Sequence, residues 1–246
     1  MSGEIKKIMT DEILLGILTF FTSTVAGVVG VGGGMLLIAV LPLFLPLNAI
    51  IPVHGITQMS SNISRAFFGI KDVQFEVVPK FVMGSILGVS LFAFLLSYIS
   101  LEYVPLFIGI YILLNLWSKR FGNYIKKYES YFMAGFFQTG LSVIVGATGP
   151  LTMTLLLKDY EDKDKVVATG AMLMSITHTS KLFVFAIFGF MFFDYIYVMA
   201  FMIVGAIAGS YFGTRIRNKI DGKKFINILK ILLTLLALRA IYTTVF

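Results

Sequence analysis

Residues 27–42 read GVVGVGGGMLLIAVLP. Four glycines fall between Gly30 and Gly34, with only Val31 among them, and the flanking residues are apolar. Close packing of membrane helices uses small residues at a regular spacing, whereas a run of glycines weakens the helix itself. We therefore predict that the backbone leaves the helix here. The alternative is that these glycines serve only helix packing.

The composition is that of a membrane protein. The chain has 246 residues, of which 58% are hydrophobic and 13% are charged, and its mean hydropathy is +0.91. No Asp, Glu, Lys or Arg occurs between Glu12 and Arg65, and one helical crossing takes roughly 20 residues. These features exclude a soluble globular domain. They predict an all-α, polytopic integral membrane protein.

Charges, glycines and prolines divide the chain into apolar segments at 13–30, 34–46, 48–70, 77–98, 101–118, 131–146, 149–158, 164–191, 193–214 and 223–244. Two of them, 34–46 and 149–158, follow glycine clusters and are too short to span a bilayer. We expect each to be a half-helix that pairs with the segment before it as a broken or re-entrant hairpin. The chain would then carry about eight to ten transmembrane segments.

The order of motifs predicts an inverted internal repeat of five plus five segments. At the offset that brings Gly30 onto Gly146, which is 116 residues, similar motifs align in the same order in both halves. The aligned pairs are Gly33 with Gly149, SSNISR at 60–65 with ITHTSK at 176–181 and, after a five-residue shift, GSILG from Gly84 with GAIAG from Gly205. We expect a first repeat at 1–118, a basic cytoplasmic linker at 119–130 and a second repeat at 131–246.

The net charge of +7 is interpreted as membrane topology, and no nucleic-acid partner is expected. Basic loops favour the cytoplasmic side, and one orientation places almost every loop lysine and arginine there. That orientation puts both termini outside. The basic residues it places inside are Lys71, Lys80, Lys119, Arg120, Lys126, Lys127, Lys158, Lys163, Lys165, Arg215, Arg217, Lys219, Lys223 and Lys224.

Polar residues run through two of the apolar segments. In the third segment Gln58, Asn62 and Arg65 share one helix face, with Ser61 beside them. In the eighth segment the corresponding residues are Thr177, His178 and Lys181. Polar and ionisable residues inside a membrane helix are costly, and they indicate functional sites.

The charges in these segments suggest a bound anion. Arg65 and Lys181 lie within the spans, and no Asp or Glu lies at that depth to pair with them. An arginine presents a planar fork to an oxyanion, and the free N–H groups at a half-helix start, here Gly33–Gly34 and Gly149–Pro150, also favour anions. The alternative is that both cations snorkel to the headgroups.

The remaining polar residues allow more than one interpretation. Ser61 and Asn62 either contact the substrate or hydrogen-bond between helices. His178 is the candidate for a coupling proton, because histidine titrates near neutral pH, although a structural core histidine is an equal alternative. For His54, nearer the outer end, we expect a structural role.

The chain resembles the TauE/SafE family of sulfite exporter-like membrane proteins. The resemblance rests on the G-x-G-G-G break that starts at Gly30, on Pro42 and Pro46 after it, on the Ser/Asn-rich segment ending in Arg65, and on a degenerate second copy. It covers nearly the whole chain and implies a transporter of the prokaryotic plasma membrane, without an ATPase of its own, for sulfite, sulfoacetate or related anions. The second copy has G-A-T-G-P instead of G-V-G-G-G, so the two half-sites should differ.

The residues and the resemblance together predict a secondary transporter of a small anion, sulfite, sulfoacetate or a related organosulfonate, that works by alternating access. Two alternatives are an anion channel on the same fold and a transporter of a small carboxylate. No enzyme activity is expected, because the spans lack carboxylates and metal clusters. No cofactor is expected, since the chain has no cysteine and no nucleotide-binding motif. A homodimer is a possible assembly.

Overall fold

The computed structural model describes residues 2–120, 130–219 and 222–245, and the regular structure in these ranges is helical, with no strand. Positions 121–129, most of the predicted linker, lie outside the described residues. The α-helices within the described ranges are α1 Ser2–Val29, α2 Gly33–Val40, α3 Leu47–Phe68, α4 Val78–Leu96, α5 Val104–Trp117, α6 Tyr131–Val145, α7 Pro150–Asp159, α8 Lys163–Ile187, α9 Ile196–Ile216 and α10 Gly222–Val245.

Among the described residues, four helical segments are long and apolar enough to cross a membrane. They are Asp11–Val29, Phe75–Leu96, Lys163–Ile187 and Phe192–Ile216. Shorter apolar helices cover Gly33–Leu43, Val104–Trp117 and Tyr131–Val145. The prediction of an all-helical, multi-pass membrane protein agrees with this architecture.

The helix is interrupted at both glycine clusters. Helix α1 ends at Val29 and α2 begins at Gly33, and between them Gly30 and Gly32 have φ of 87° and 97°. Between α6 and α7, Gly146 has φ of 77°. Residues with a Cβ rarely adopt these angles, which explains why glycine stands at these positions. The short helices α2 and α7 that follow the breaks are called the half-helices below.

Helices α3 and α8 cross the middle of the molecule in opposite directions. Gly55 of α3 contacts Leu182 of α8, and Gly69 just after α3 contacts Ala168 near the start of α8. The half-helix α2 is buried beside them: Leu37 and Ile38 are fully buried among residues of α3, α5 and α10. Burial by neighbouring helices lets an interrupted backbone persist in an apolar protein.

Two helix pairs approach so closely that only glycine fits between their backbones. A Cβ on Gly84 or Gly88 of α4 would overlap the carbonyl oxygen of Phe132 or Phe136 of α6. In the same way, Gly205 and Gly209 of α9 face the carbonyl oxygens of Gly16 and Phe20 of α1. These regularly spaced glycines serve helix packing.

Gly88→Ala tests this packing. A glycine-to-alanine change in a helix normally favours the helix by about 1 kcal/mol. Here the new methyl group would press on the Phe136 carbonyl, and overpacking of this kind destabilises by about 1–3 kcal/mol. We therefore expect a lower melting temperature in detergent. Ser90→Ala, at an exposed position of the same helix, is the control and should leave the melting temperature nearly unchanged.

Candidate functional site

A small cavity lies where the two helix breaks meet the middle of α3 and α8. Its volume is about 40 Å³, and one water molecule needs roughly 10–15 Å³ on this measure, so the cavity has room for a compact ion. Backbone from both breaks reaches it, through Gly30, Gly32 and Gly34 on one side and Gly149 on the other. The polar side chains that line it are His54, Gln58, Asn62, Arg65, Thr152 and His178.

Helix α3 presents three polar side chains to the cavity from one face. Gln58, Asn62 and Arg65 follow the helical spacing and are buried, with Arg65 only 4% exposed. Asn62 Nδ2 donates to the Gln58 carbonyl oxygen at 2.7 Å, and Arg65 Nη2 donates to Asn62 Oδ1. This chain of bonds fixes the guanidinium at the cavity wall.

The cavity wall has more hydrogen-bond donors than partners for them. Arg65 Nε and Nη1 and Gln58 Nε2 are buried, and none of the three has a partner among the described residues. Leaving such donors unmet normally costs about 1–3 kcal/mol each, and more for a charged group. None of the described residues that line the cavity is Asp or Glu. The arrangement therefore suits a ligand that brings negative charge and acceptor oxygens.

Two histidines from opposite helices meet at the cavity. The rings of His54 on α3 and His178 on α8 lie edge to face with their centroids 5.7 Å apart. His54 Nε2 contacts the carbonyl oxygen of Gly34 at 3.0 Å, and since a carbonyl only accepts, this nitrogen carries the proton. His54 Nδ1 and both ring nitrogens of His178 are buried without a partner.

The two half-helices present different N-termini to the cavity. No side chain of the preceding residue caps α2, whose first turn begins at Gly33. At α7 the first residue is Pro150, which has no N–H, and Thr152 N donates to Gln138 Oε1 at 3.0 Å. The first terminus is therefore the more open to a ligand.

The cavity collects some of the residues that the sequence predicts and leaves others at a distance. Gly34, Gln58, Asn62, Arg65, Gly149 and His178 line it. Ser61 hydrogen-bonds to Ser210 Oγ at 2.9 Å, and Thr177 lies 3.2 Å from Gln138 Nε2. A Cβ on Gly33 would overlap the Thr22 carbonyl oxygen, so this glycine serves close packing against α1.

Lys181 is completely buried and reaches a backbone carbonyl. Its Nζ donates to the carbonyl oxygen of Gly146 at 2.9 Å, at the C-terminal end of α6. A cation at this end of a helix offsets the partial negative charge of the unpaired carbonyls. The amine thus stabilises the second helix break through the Gly146 carbonyl, and Lys181 is not one of the residues that line the cavity. Its predicted contact with the anion stays a prediction.

Eleven of the cavity residues are not among the site residues predicted from the sequence, and His54, Thr152 and Met174 belong to these. The sequence could have indicated His54, because it precedes Gln58 by four positions and so lies on the same helix face. For Thr152 and Met174 the sequence gives no comparable signal. Only the packing of α7 on α8 turns them toward the cavity.

The fold and the cavity define a polytopic α-helical membrane protein with a buried cationic cavity at two helix breaks. Residues 15–240 match the sequence pattern of the family described as Sulfite exporter TauE/SafE, so the chain belongs to that family. The members of this family are membrane transporters rather than enzymes. Among curated proteins and solved structures, none is significantly similar to this chain.

Lys181→Met tests how this residue acts. The change leaves the Gly146 carbonyl without its partner, and an unmet buried group of this kind costs about 1–3 kcal/mol. We expect a lower melting temperature of the ligand-free protein in detergent. Lys165→Met, in a half-buried position on the same helix, should have little effect. An unchanged melting temperature together with lost anion binding would instead place Lys181 among the anion's ligands.

Proposed function

We propose that this protein is a secondary transporter of a small anion, with sulfite, sulfoacetate or a related organosulfonate as the substrate class, and that it works by alternating access. The observation that carries the proposal is the buried guanidinium of Arg65. Its Nε and Nη1 are buried without a partner among the described residues, and the residue lines the cavity. Breaking a buried ion pair costs about 3–5 kcal/mol, so a buried cation without a carboxylate calls for another source of negative charge.

The proposed anion lies between α3 and the start of α2. Arg65 provides the charge and its planar fork, and Gln58 provides an amide N–H. The N–H groups at Gly33–Gly34 add a helix terminus, which favours anions. Asn62 orients Arg65 through the bond described above. His178 donates from a ring nitrogen, and Gly149 closes the opposite wall.

Three predicted site residues have an indirect part in this proposal. Lys181 adds positive charge behind the second break, Thr177 holds Gln138, and Ser61 fixes α3 against α9. His178 remains the candidate for a coupling proton, since its two ring nitrogens lack partners at the proposed binding position. The driving force is then the anion gradient, the membrane potential or a proton gradient.

The proposed five-plus-five inverted repeat gains support from the pairing of helices. Gly84 and Gly88 contact Phe132 and Phe136, and the second pairing joins Gly205 and Gly209 to Gly16 and Phe20. Each residue of the first pairing lies at the predicted offset, 116 residues or five more, from its counterpart in the second. This correspondence is expected if the unit is duplicated and the same helix of each copy packs on the first helix of the other copy: α4 on α6, and α9 on α1. Each half-helix then forms a broken or re-entrant hairpin with the helix before it, and the two hairpins enter the membrane from opposite sides.

We place the protein in the plasma membrane of a prokaryote with both termini outside, following the basic loops. Because the chain has no cysteine, single cysteines report sidedness directly. Asp194→Cys should react with a membrane-impermeant maleimide in intact cells, and Lys71→Cys only after permeabilisation. The parent protein, which cannot react, is the control. Labelling of Lys71→Cys in intact cells would show that the proposed orientation is wrong.

Arg65→Gln tests the anion site. Hydrogen bonds to charged groups contribute about 1.5–3 kcal/mol, so the loss should weaken anion binding roughly 10- to 100-fold. We expect current driven by a sulfite or sulfoacetate gradient across proteoliposomes to fall toward that of empty liposomes. Arg65→Lys, which keeps the charge without the fork, should retain part of it. Arg215→Gln, on α9 and stacked on Tyr211, is the matched control.

The same assay separates the alternatives. Taurine, sulfate and acetate are tested beside sulfite and sulfoacetate, and a response to acetate alone would favour the carboxylate transporter. A transporter shows saturation and exchange against counter-substrate, whereas a channel shows flux that follows voltage without either. If Arg65→Gln carries the same current as the parent, the proposed site is wrong.

A further inference from the structure

The N-terminus of the half-helix α7 is capped by a side chain from the preceding helix. Gln138 of α6 is fully buried, and its Oε1 accepts from Thr152 N at 3.0 Å and from Thr152 Oγ1. Free N–H groups at a helix start attract acceptor oxygens. The glutamine oxygen therefore takes a position that an anion's oxygen would otherwise take.

The other end of the Gln138 amide is fixed as well. Its Nε2 lies 3.2 Å from Thr177 Oγ1 and 3.2 Å from Met174 Sδ. Thr139 Oγ1 lies 3.2 Å from Thr177 Oγ1 and donates to Ser85 Oγ at 2.8 Å, which extends the network to α4. These contacts determine which amide atom faces α7, so the oxygen stays on Thr152.

In the part of the first half that the structure describes, no such cap is found at α2. The position 116 residues before Gln138 holds Thr22, whose hydroxyl donates to the Thr19 carbonyl oxygen of its own helix at 3.2 Å. The Thr22 backbone packs against Gly33 at the start of α2, but its hydroxyl is engaged within α1. The start of α2 at Gly34 and the start of α7 at Thr152 nevertheless line the same cavity. One terminus is open and the other is occupied by the protein itself.

A second observation shows that the α7 side also faces a ligand position. His178 is 1% exposed, lines the cavity beside Gly149, and has two ring nitrogens without a partner. An anion with one charged head can use the open α2 terminus and Arg65. An anion with two charged heads needs donors at both ends, and at the second end it meets Thr152, whose N–H is already engaged by Gln138.

We propose that Gln138 is a specificity-determining residue that restricts the cavity to oxyanions with a single charged head. This inference rests on the proposed function and narrows its substrate class. Sulfite is the probe with one head, and sulfoacetate, which carries a sulfonate and a carboxylate, is the probe with two. The parent protein should bind sulfite at least about tenfold more tightly than sulfoacetate, since one hydrogen bond to a charged group is worth about that factor.

The test is Gln138→Thr, which installs the residue found at position 22. Dissociation constants for both probes are measured by calorimetry on the full chain in detergent. The change shortens the side chain and frees Thr152 N, so sulfoacetate should bind about tenfold more tightly than it does to the parent. Sulfite, bound at the other terminus, should change by less than about threefold.

Two further variants keep the test decisive. Gln138→Glu retains the length and an acceptor for Thr152, so it should gain no sulfoacetate binding. Gln138→Asn, which is polar but one methylene shorter, replaces the threonine variant if that one loses its monodisperse elution or its cooperative melting. Like Gln138→Thr, the Gln138→Asn variant should bind sulfoacetate more tightly than the parent does.

The outcomes separate this inference from the proposed function. If the parent binds sulfite but Gln138→Thr and Gln138→Asn gain nothing for sulfoacetate, Gln138 does not set specificity, and the anion site stands. The same conclusion follows if the parent binds both probes equally well. If the parent binds neither, the proposed anion site is itself wrong.

Discussion

The structure depends on the hydrogen bonds of backbone that leaves the helix inside an apolar protein. Each break exposes N–H and C=O groups that hydrocarbon cannot satisfy. At the second break, the Lys181 amine meets the Gly146 carbonyl and Gln138 meets Thr152. At the first break, His54 meets the Gly34 carbonyl. Helix α3 supplies His54, α8 supplies Lys181 and α6 supplies Gln138, so these three helices have to lie against the breaks.

At the first break, Arg65 and Gln58 keep donors that no described residue satisfies, and the proposed ligand site differs in this from a purely structural polar cluster. A structural cluster ends in matched pairs, as where Arg217 bonds both to Asp164 and to the Gly27 carbonyl oxygen. Among the described residues Arg65 bonds to Asn62, and its Nε and Nη1 are buried without a partner. The proposed transport activity follows from this contrast between two buried arginines of one molecule.

The starts of the two half-helices differ, and under the proposed repeat this difference lies in the side-chain length at Thr22 and Gln138. Where the second half has Gln138, long enough to cap α7, the first half has Thr22, which bonds only within its own helix. One terminus is stabilised permanently by the protein and the other is left available.

The sequence by itself determined the class of protein, because length and hydropathy leave a membrane bundle as the only way to bury so many apolar residues. It also determined the helix breaks, since a run of glycines cannot sustain a helix, and the face shared by Gln58, Asn62 and Arg65, since helical spacing is local. Only the tertiary structure decided that Lys181 turns to a carbonyl and that Gln138 caps α7. These two hydrogen bonds depend on which helix faces pack together. Close contacts at glycines, between residues far apart in the chain, determine that packing.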